Sequence, residues 1–163
     1  MLTILLSLAQ LQTAFAQEPI IGRSSVIDGD TIDISGTRIR IWGIDAPESW
    51  QRCLDAKGNP YQCGKNAADA LDQFLAASRP TRCEQVDVDR YHRIVARCSR
   101  SDGASVNAWL VETGNAIDWP RYSHGAYSTM QEKAKGRRSG IWQGTFVKPC
   151  IARAKLAGRI ASC

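Results

Sequence analysis

Thr31-Ile32-Asp33-Ile34-Ser35-Gly36-Thr37-Arg38-Ile39-Arg40-Ile41-Trp42-Gly43-Ile44 reads as two strands, Thr31 to Ile34 and Thr37 to Ile44, joined by the two-residue turn Ser35-Gly36. Successive side chains of a strand point to opposite faces. Ile39, Ile41 and Gly43 therefore share one face of the second strand, while Arg38, Arg40 and Trp42 share the other. Upstream, Ile20 to Asp28 is a further strand. Downstream, Arg82 to Val88 and Arg93 to Cys98 form a second hairpin, and Ala116 to Trp119 is a short strand. Between them, Ala67, Ala70, Leu71, Phe74 and Leu75 recur at helical spacing, which predicts an amphipathic helix over Asn66 to Ala77. Val106 to Thr113 is a short helix with Gly114 at its C-terminal cap, and Ser128 to Arg138 is a third, stopped near Gly140. This pattern predicts an α+β, mainly β fold: a five-stranded barrel of the oligonucleotide-binding type with about three helices.

The chain has 163 residues, 44% of them hydrophobic and 23% charged, which excludes a disordered chain, a collagen-like repeat and a heptad coiled coil. There are 21 Lys+Arg against 16 Asp+Glu, a formal net charge of +5. Lys148, Arg153, Lys155 and Arg159 lie in the acid-free stretch from Thr145 to Cys163, so residues 17–144 carry only +1. The basic balance is thus a weak pointer to a polyanionic partner.

Residues 1–16, MLTILLSLAQLQTAFA, lack any charged side chain. They combine a short apolar run with the Ala14-Phe15-Ala16 cleavage pattern, the form of a signal peptide that leaves Gln17 as the first mature residue. The expected location is secreted or periplasmic, with no transmembrane segment in the mature chain. The six cysteines fit export. Cys83 and Cys98 lie symmetrically about Arg90-Tyr91 and would face each other across the second hairpin. Cys53 and Cys63 bracket Gly58-Asn59-Pro60, and Cys150 and Cys163 remain as the third pair. No Cys-x-x-Cys occurs and the two histidines lie far from these pairs, which argues against zinc.

The chemistry concentrates between Asp28 and Glu48. Asp28-Gly29-Asp30-Thr31 alone is an ordinary turn. Asp45-Ala46-Pro47-Glu48 brings two more acids, with Arg40 on the strand between. Clustered carboxylates repel unless a cation or donors hold them. Hard oxygen donors without His or Cys suit Ca²⁺ or Mg²⁺, with Asp30 and Asp45 as ligands and the Ala46 carbonyl as a third. Asp89-Arg90-Tyr91-His92-Arg93 occupies the tip of the second hairpin, where Arg93 would join Arg40 around one phosphate; two guanidiniums provide the bidentate recognition lysine lacks.

Ile27-Asp28-Gly29-Asp30-Thr31, then Arg40-Ile41-Trp42-Gly43-Ile44-Asp45-Ala46-Pro47-Glu48, then Asp89-Arg90-Tyr91-His92-Arg93, and finally Gly140-Ile141-Trp142 after a basic helix, together resemble the thermonuclease (micrococcal or staphylococcal-nuclease-like) family. The resemblance spans about Val26 to Trp142. It implies an oligonucleotide-binding-type barrel, an endonuclease that hydrolyses DNA and/or RNA, usually with Ca²⁺, and products with 3′-phosphates. On matching positions it makes Asp30 and Asp45 metal ligands helped by the Ala46 carbonyl, with Asp28 behind them. Arg40, Glu48 and Arg93 become catalytic, Glu48 as general base or water positioner. Arg90 and Tyr91 would contact a terminal phosphate. Ala46 stands where a Thr is common, and His92 where a Gly is common, so a differing hairpin tip is expected. Trp119-Pro120-Arg121-Tyr122 only partly matches the family's base-stacking segment; Trp119 and Tyr122 are the stacking candidates.

The organisation expected is therefore a signal peptide over 1–16, a nuclease-like domain over 17–144 and a basic tail over 145–163, read as solvated, with a short helix stapled by Cys150 and Cys163, phosphate contacts and an anionic lipid surface as the alternatives. Lys133, Lys135, Arg137 and Arg138 read as a solvated helix face and His124 as a loop residue. DNA or RNA is the substrate, no obligate protein partner is implied, and a monomer is expected. The competing readings are a non-catalytic nucleic-acid-binding barrel and a disulfide-rich exported structural domain.

Overall fold

The computed structural model describes residues 17–161 and 163; the expected signal segment, residues 1–16, lies outside the described residues. In chain order the strands and helices are β1 (Ile20–Gly22), β2 (Ser24–Asp28), β3 (Thr31–Ile34), β4 (Thr37–Ile41), β5 (Ile44–Asp45), β6 (Cys53–Leu54), β7 (Pro60–Tyr61), α1 (Cys63–Ala76), β8 (Thr81–Val88), β9 (Ile94–Arg100), α2 (Val106–Glu112), β10 (Ile117–Asp118), α3 (Pro120–Ser123), α4 (Ser128–Gly136) and α5 (Pro149–Leu156). A 3₁₀ turn, Gly140–Gln143, precedes α5.

Six strands form the main sheet in the order β1-β8-β9-β4-β3-β2. Its two edges, β1 and β2, are consecutive in the chain with only Arg23 between them. The sheet therefore curls back to its own start, which is the oligonucleotide-binding-like arrangement. The expected strand Ile20 to Asp28 is β1 and β2 together, so five of the expected strands become the six of this sheet by one interruption at Arg23. The β3–β4 hairpin is antiparallel, whereas β4 and β9 run parallel, with Ile39 opposite Ile94.

The core follows from the alternation. Ile32, Ile34, Ile39 and Ile41 turn inward and are essentially unexposed. Ala67, Leu71 and Leu75 of α1 and Val106, Leu110 and Val111 of α2 close over them. The Ser105 hydroxyl accepts the Ala108 N–H at 3.2 Å and so caps α2, satisfying a donor that a helix start leaves orphaned. All three disulfides form as expected, Cys53–Cys63, Cys83–Cys98 and Cys150–Cys163. Among the described residues no helix is long and apolar enough to cross a membrane.

Two expectations are corrected. The strand from Thr37 does not run unbroken to Ile44: β4 ends at Ile41, and Gly43 turns the backbone at φ +73° before β5 begins. A Cβ there would meet the Ser123 Cβ at 3.0 Å and the Tyr127 ring at 3.1 Å. Gly43→Ala combines that crowding with a left-handed backbone and is expected to cost about 1–3 kcal/mol, read as a lower denaturant midpoint. The break frees Ile44 and Asp45 to pair with β10, Ile117 opposite Asp45. There are also five α-helices among the described residues, not three. α5 is the stapled helix among the alternatives for the tail, and α3 is a four-residue turn with no period to betray it.

Candidate active site

The site grows from the β2–β3 turn. Asp28 Oδ1 accepts the Asp30 N–H at 3.1 Å, which fixes the turn and aims Asp30 inward, 2% exposed. Arg40 on β4 pairs in register with Thr31, beside Asp30. Its Nη1 bonds Asp30 Oδ1, and its Nη2 donates to Asp45 Oδ1 at 3.2 Å and to the Ile44 carbonyl at 3.4 Å. The second Asp30 oxygen accepts the Ala46 N–H at 2.8 Å. Asp45 is 0% exposed. Two buried carboxylates are thus held on one guanidinium fork, the geometry for which arginine is suited.

The tail contributes a second guanidinium. Arg153 Nη1 on α5 lies 2.8 Å from Asp45 Oδ1 and 2.6 Å from Glu48 Oε1. The first turn of α5 adds the Cys150 N–H, donated to Asp45 Oδ2 at 3.0 Å. Asp30, Arg40, Asp45, Arg153 and Glu48 therefore alternate in charge along one chain of contacts. Burial works against the positive charge on Arg153, but its bonds to Asp45 and Glu48 outweigh that and hold its proton more tightly than usual. At Arg40 burial is the largest influence and lowers its proton affinity; Asp45 opposes this, while Arg153 and Arg93 add to it.

Glu48 is held by its backbone. Gln51 N–H donates to the Glu48 carbonyl at 2.7 Å, Gln51 Oε1 accepts the Glu48 N–H at 3.3 Å, and Gln51 Nε2 donates to the Val147 carbonyl at 2.6 Å. Buried Gln51 so couples Glu48 to the tail. Only glycine fits at position 64, because a Cβ there would lie 1.6 Å from the Glu48 carbonyl oxygen; α1 begins hard against the loop that presents Glu48. Sequence reading singled out neither Gln51 nor the placement of Arg153. Gln51 had no signal, and Arg153 was visible only as one charge of a basic tail.

The hairpin tip is a separate unit. Asp89 accepts the backbone N–H groups of Tyr91 and Arg93 at 2.9 and 3.0 Å and the Arg93 Nε at 2.7 Å. Arg90 and Arg93 lie over the Tyr91 ring, at 4.9 and 5.6 Å from its centroid. His92 takes the left-handed conformation, φ +61°, which glycine adopts most readily. Burial tends to raise the Asp89 carboxyl, but the hydrogen bonds from Arg93 and Tyr91 prevail and hold it below the usual range. A depressed carboxylate stabilises above its unfolded pKa, ~3.9, and loses that contribution as pH falls through the folded value. The melting-temperature gap between wild type and Asp89→Asn is accordingly expected to be full at pH 7 and to shrink as pH falls below about 4.

The other expected residues scatter more. Trp119 packs edge-on to Tyr122, centroids 4.6 Å apart, and lies under Arg153 at 5.5 Å, so this pair borders the carboxylate chain. Tyr122 and Tyr91 are well exposed, as a stacking or phosphate contact requires. Lys133, Lys135, Arg137 and Arg138 are exposed on and just after α4; Lys135 pairs with Glu132 and Arg137 with Glu112. His124 caps α3 in the left-handed conformation. Among the described residues no group of three or more His, Cys, Asp or Glu side chains converges as a metal cage.

Over residues 38–144 the chain matches the family described as staphylococcal nuclease homologue. The chain belongs to that family. It is also 50% identical to the succinoglycan biosynthesis protein ExoI of Rhizobium meliloti (strain 1021), over 98% of this chain and 84% of that protein. It is 30% identical to the probable endonuclease LCL3 of Clavispora lusitaniae (strain ATCC 42720), over 64% of this chain and 47% of that one.

Proposed function

We propose that the mature chain is an exported, calcium-assisted nuclease that hydrolyses phosphodiesters of DNA and/or RNA, with Arg40, Glu48 and Arg93 as its catalytic residues. The observation that carries this reading is the burial of Asp30 and Asp45 on the Arg40 fork in a chain of the nuclease family. Buried ion pairs are a poor source of stability, since desolvation offsets their attraction. A cluster of this kind is better explained by a reaction at an anionic phosphate. The ExoI name states a biosynthetic process and no reaction, so it neither adds to nor subtracts from this proposal.

The donor set fits a hard cation: carboxylate oxygens without nitrogen or sulfur ligands. Asp30, Asp45 and the Ala46 carbonyl would hold Ca²⁺, with Asp28 steadying Asp30 through its backbone N–H. When bound, the ion supplies Lewis-acid neutralisation of a non-bridging phosphate oxygen. Arg40 and Arg93 donate to the equatorial oxygens as charge builds during attack. Glu48 orients the attacking water or takes its proton. The P–O5′ bond breaks as the water oxygen bonds to phosphorus, leaving a 3′-phosphate and a 5′-hydroxyl that carries off a proton. Arg90, Tyr91, Trp119 and Tyr122 contact the flanking nucleotides. The three disulfides favour an oxidising compartment, secreted or periplasmic.

Incubating the purified mature protein with single-stranded DNA or RNA, with Ca²⁺ or with chelator, tests the reading. Calcium-dependent cleavage is the expected result. Binding without cleavage would instead mark a nucleic-acid-binding barrel, and neither would mark a structural domain.

A further inference from the structure

Asp45 and Glu48 already share a cation. One nitrogen, Arg153 Nη1, sits within 2.8 Å of an oxygen from each. Both Asp45 oxygens are already engaged, since Oδ1 also receives Arg40 and Oδ2 receives the Cys150 N–H. A divalent cation drawn to the same carboxylates would meet a fixed positive charge at hydrogen-bond distance, a strongly repulsive encounter at a partly buried site. The guanidinium belongs to a tail fastened at several points. Leu54 and Thr145 exchange backbone bonds of 2.9 and 3.1 Å, Gln51 holds the Val147 carbonyl, and Cys150–Cys163 ties the chain end to the start of α5. Arg153 itself is a third exposed, so its head group has a path to water.

We propose that Arg153 is a tethered competitor for the divalent cation: with α5 docked, its guanidinium occupies Asp45 and Glu48, and the ion binds only as Arg153 withdraws. This inference rests on the calcium reading above. It makes the basic tail a control on metal occupancy rather than a nucleic-acid contact. Because a tethered group acts at high effective concentration, the docked tail lowers the apparent affinity for the ion by the fraction of molecules in which it is withdrawn. By linkage the effect is mutual, and the ion must loosen the tail as much as the tail weakens the ion.

The test is calorimetric titration of CaCl₂ into wild type, Arg153→Gln and Arg159→Gln, each checked for an unchanged melting transition. Arg159 carries the same charge on the exposed end of the tail and controls for overall charge. Arg153→Gln is expected to bind Ca²⁺ at least ~10-fold tighter than wild type, with Arg159→Gln unchanged. Equal or weaker binding by Arg153→Gln, or an equal gain in Arg159→Gln, overturns the competition but leaves the calcium reading standing. No binding by any of the three overturns both. Hydrogen exchange on wild type needs no variant: amides of residues 150–156 are expected to exchange faster with Ca²⁺ than with chelator, and an unchanged or slower rate overturns the competition.

Discussion

Glu48→Gln is expected to lower single-stranded DNA turnover by about 10²–10⁴-fold while leaving the melting temperature within a few degrees, since a positioned acid–base group contributes that much. The substitution is isosteric, and the amide oxygen still accepts from Arg153, whose Nη1 now lies 2.6 Å from Glu48 Oε1. The backbone bonds that hold the loop, from Gln51 to Glu48, do not involve the side chain that changes. Arg93→Ala is expected to fall by about 10²–10³-fold, the range for one preorganised donor to a transition-state anion. Steady-state kinetics with circular dichroism alongside separates lost chemistry from lost fold; a near-normal rate in either variant removes that residue from the mechanism.

Arg40→Ala is expected to be the most damaging single change to the fold, about 3–5 kcal/mol, because it strips the cation from buried carboxylates. Asp30 keeps the Ala46 and Thr31 donors but loses its only charged partner among the described residues, at 2% exposure. Asp45 keeps Arg153 and the Cys150 N–H. Arg40→Lys restores the charge as a single point donor that cannot span Asp30 and Asp45, so it is expected to regain part of the stability and little of the turnover. Urea denaturation of the three proteins, with rates measured below each midpoint, checks both halves. Equal stability of wild type and Arg40→Ala would mean that the acids are not dependent on this fork.

Much of this was legible in the chain because local rules and tertiary structure agree. The Ser35-Gly36 turn and the Ile39/Ile41 alternation become the β3–β4 hairpin with its inward isoleucines, and the i, i+4 spacing of Ala67, Leu71 and Leu75 becomes the buried face of α1. Two of the cysteine pairs follow from hairpin symmetry and turn placement, both local, and Cys150–Cys163 is the pair that remains. Asp28, Asp30, Arg40, Asp45 and Glu48 stand within 21 residues, so the β3–β4 hairpin and the turns on either side of it suffice to bring them together. What escaped depends on distance. Arg153 meets Asp45 across 108 positions and Gln51 meets Val147 across 96, and no periodicity links such pairs. The β4–β5 break escaped because Gly43 alternates correctly as a strand residue; only the approach of Ser123 and Tyr127 shows why the backbone must turn there.

The products of the reaction test the central claim most directly. Mass spectrometry of a defined single-stranded DNA oligonucleotide incubated with the wild-type protein and Ca²⁺ is predicted to show fragments carrying one added water per cut, 3′-phosphate and 5′-hydroxyl ends, and no such fragments with chelator or with Glu48→Gln. An intact oligonucleotide, or the same fragments at the same yield from Glu48→Gln, would contradict it.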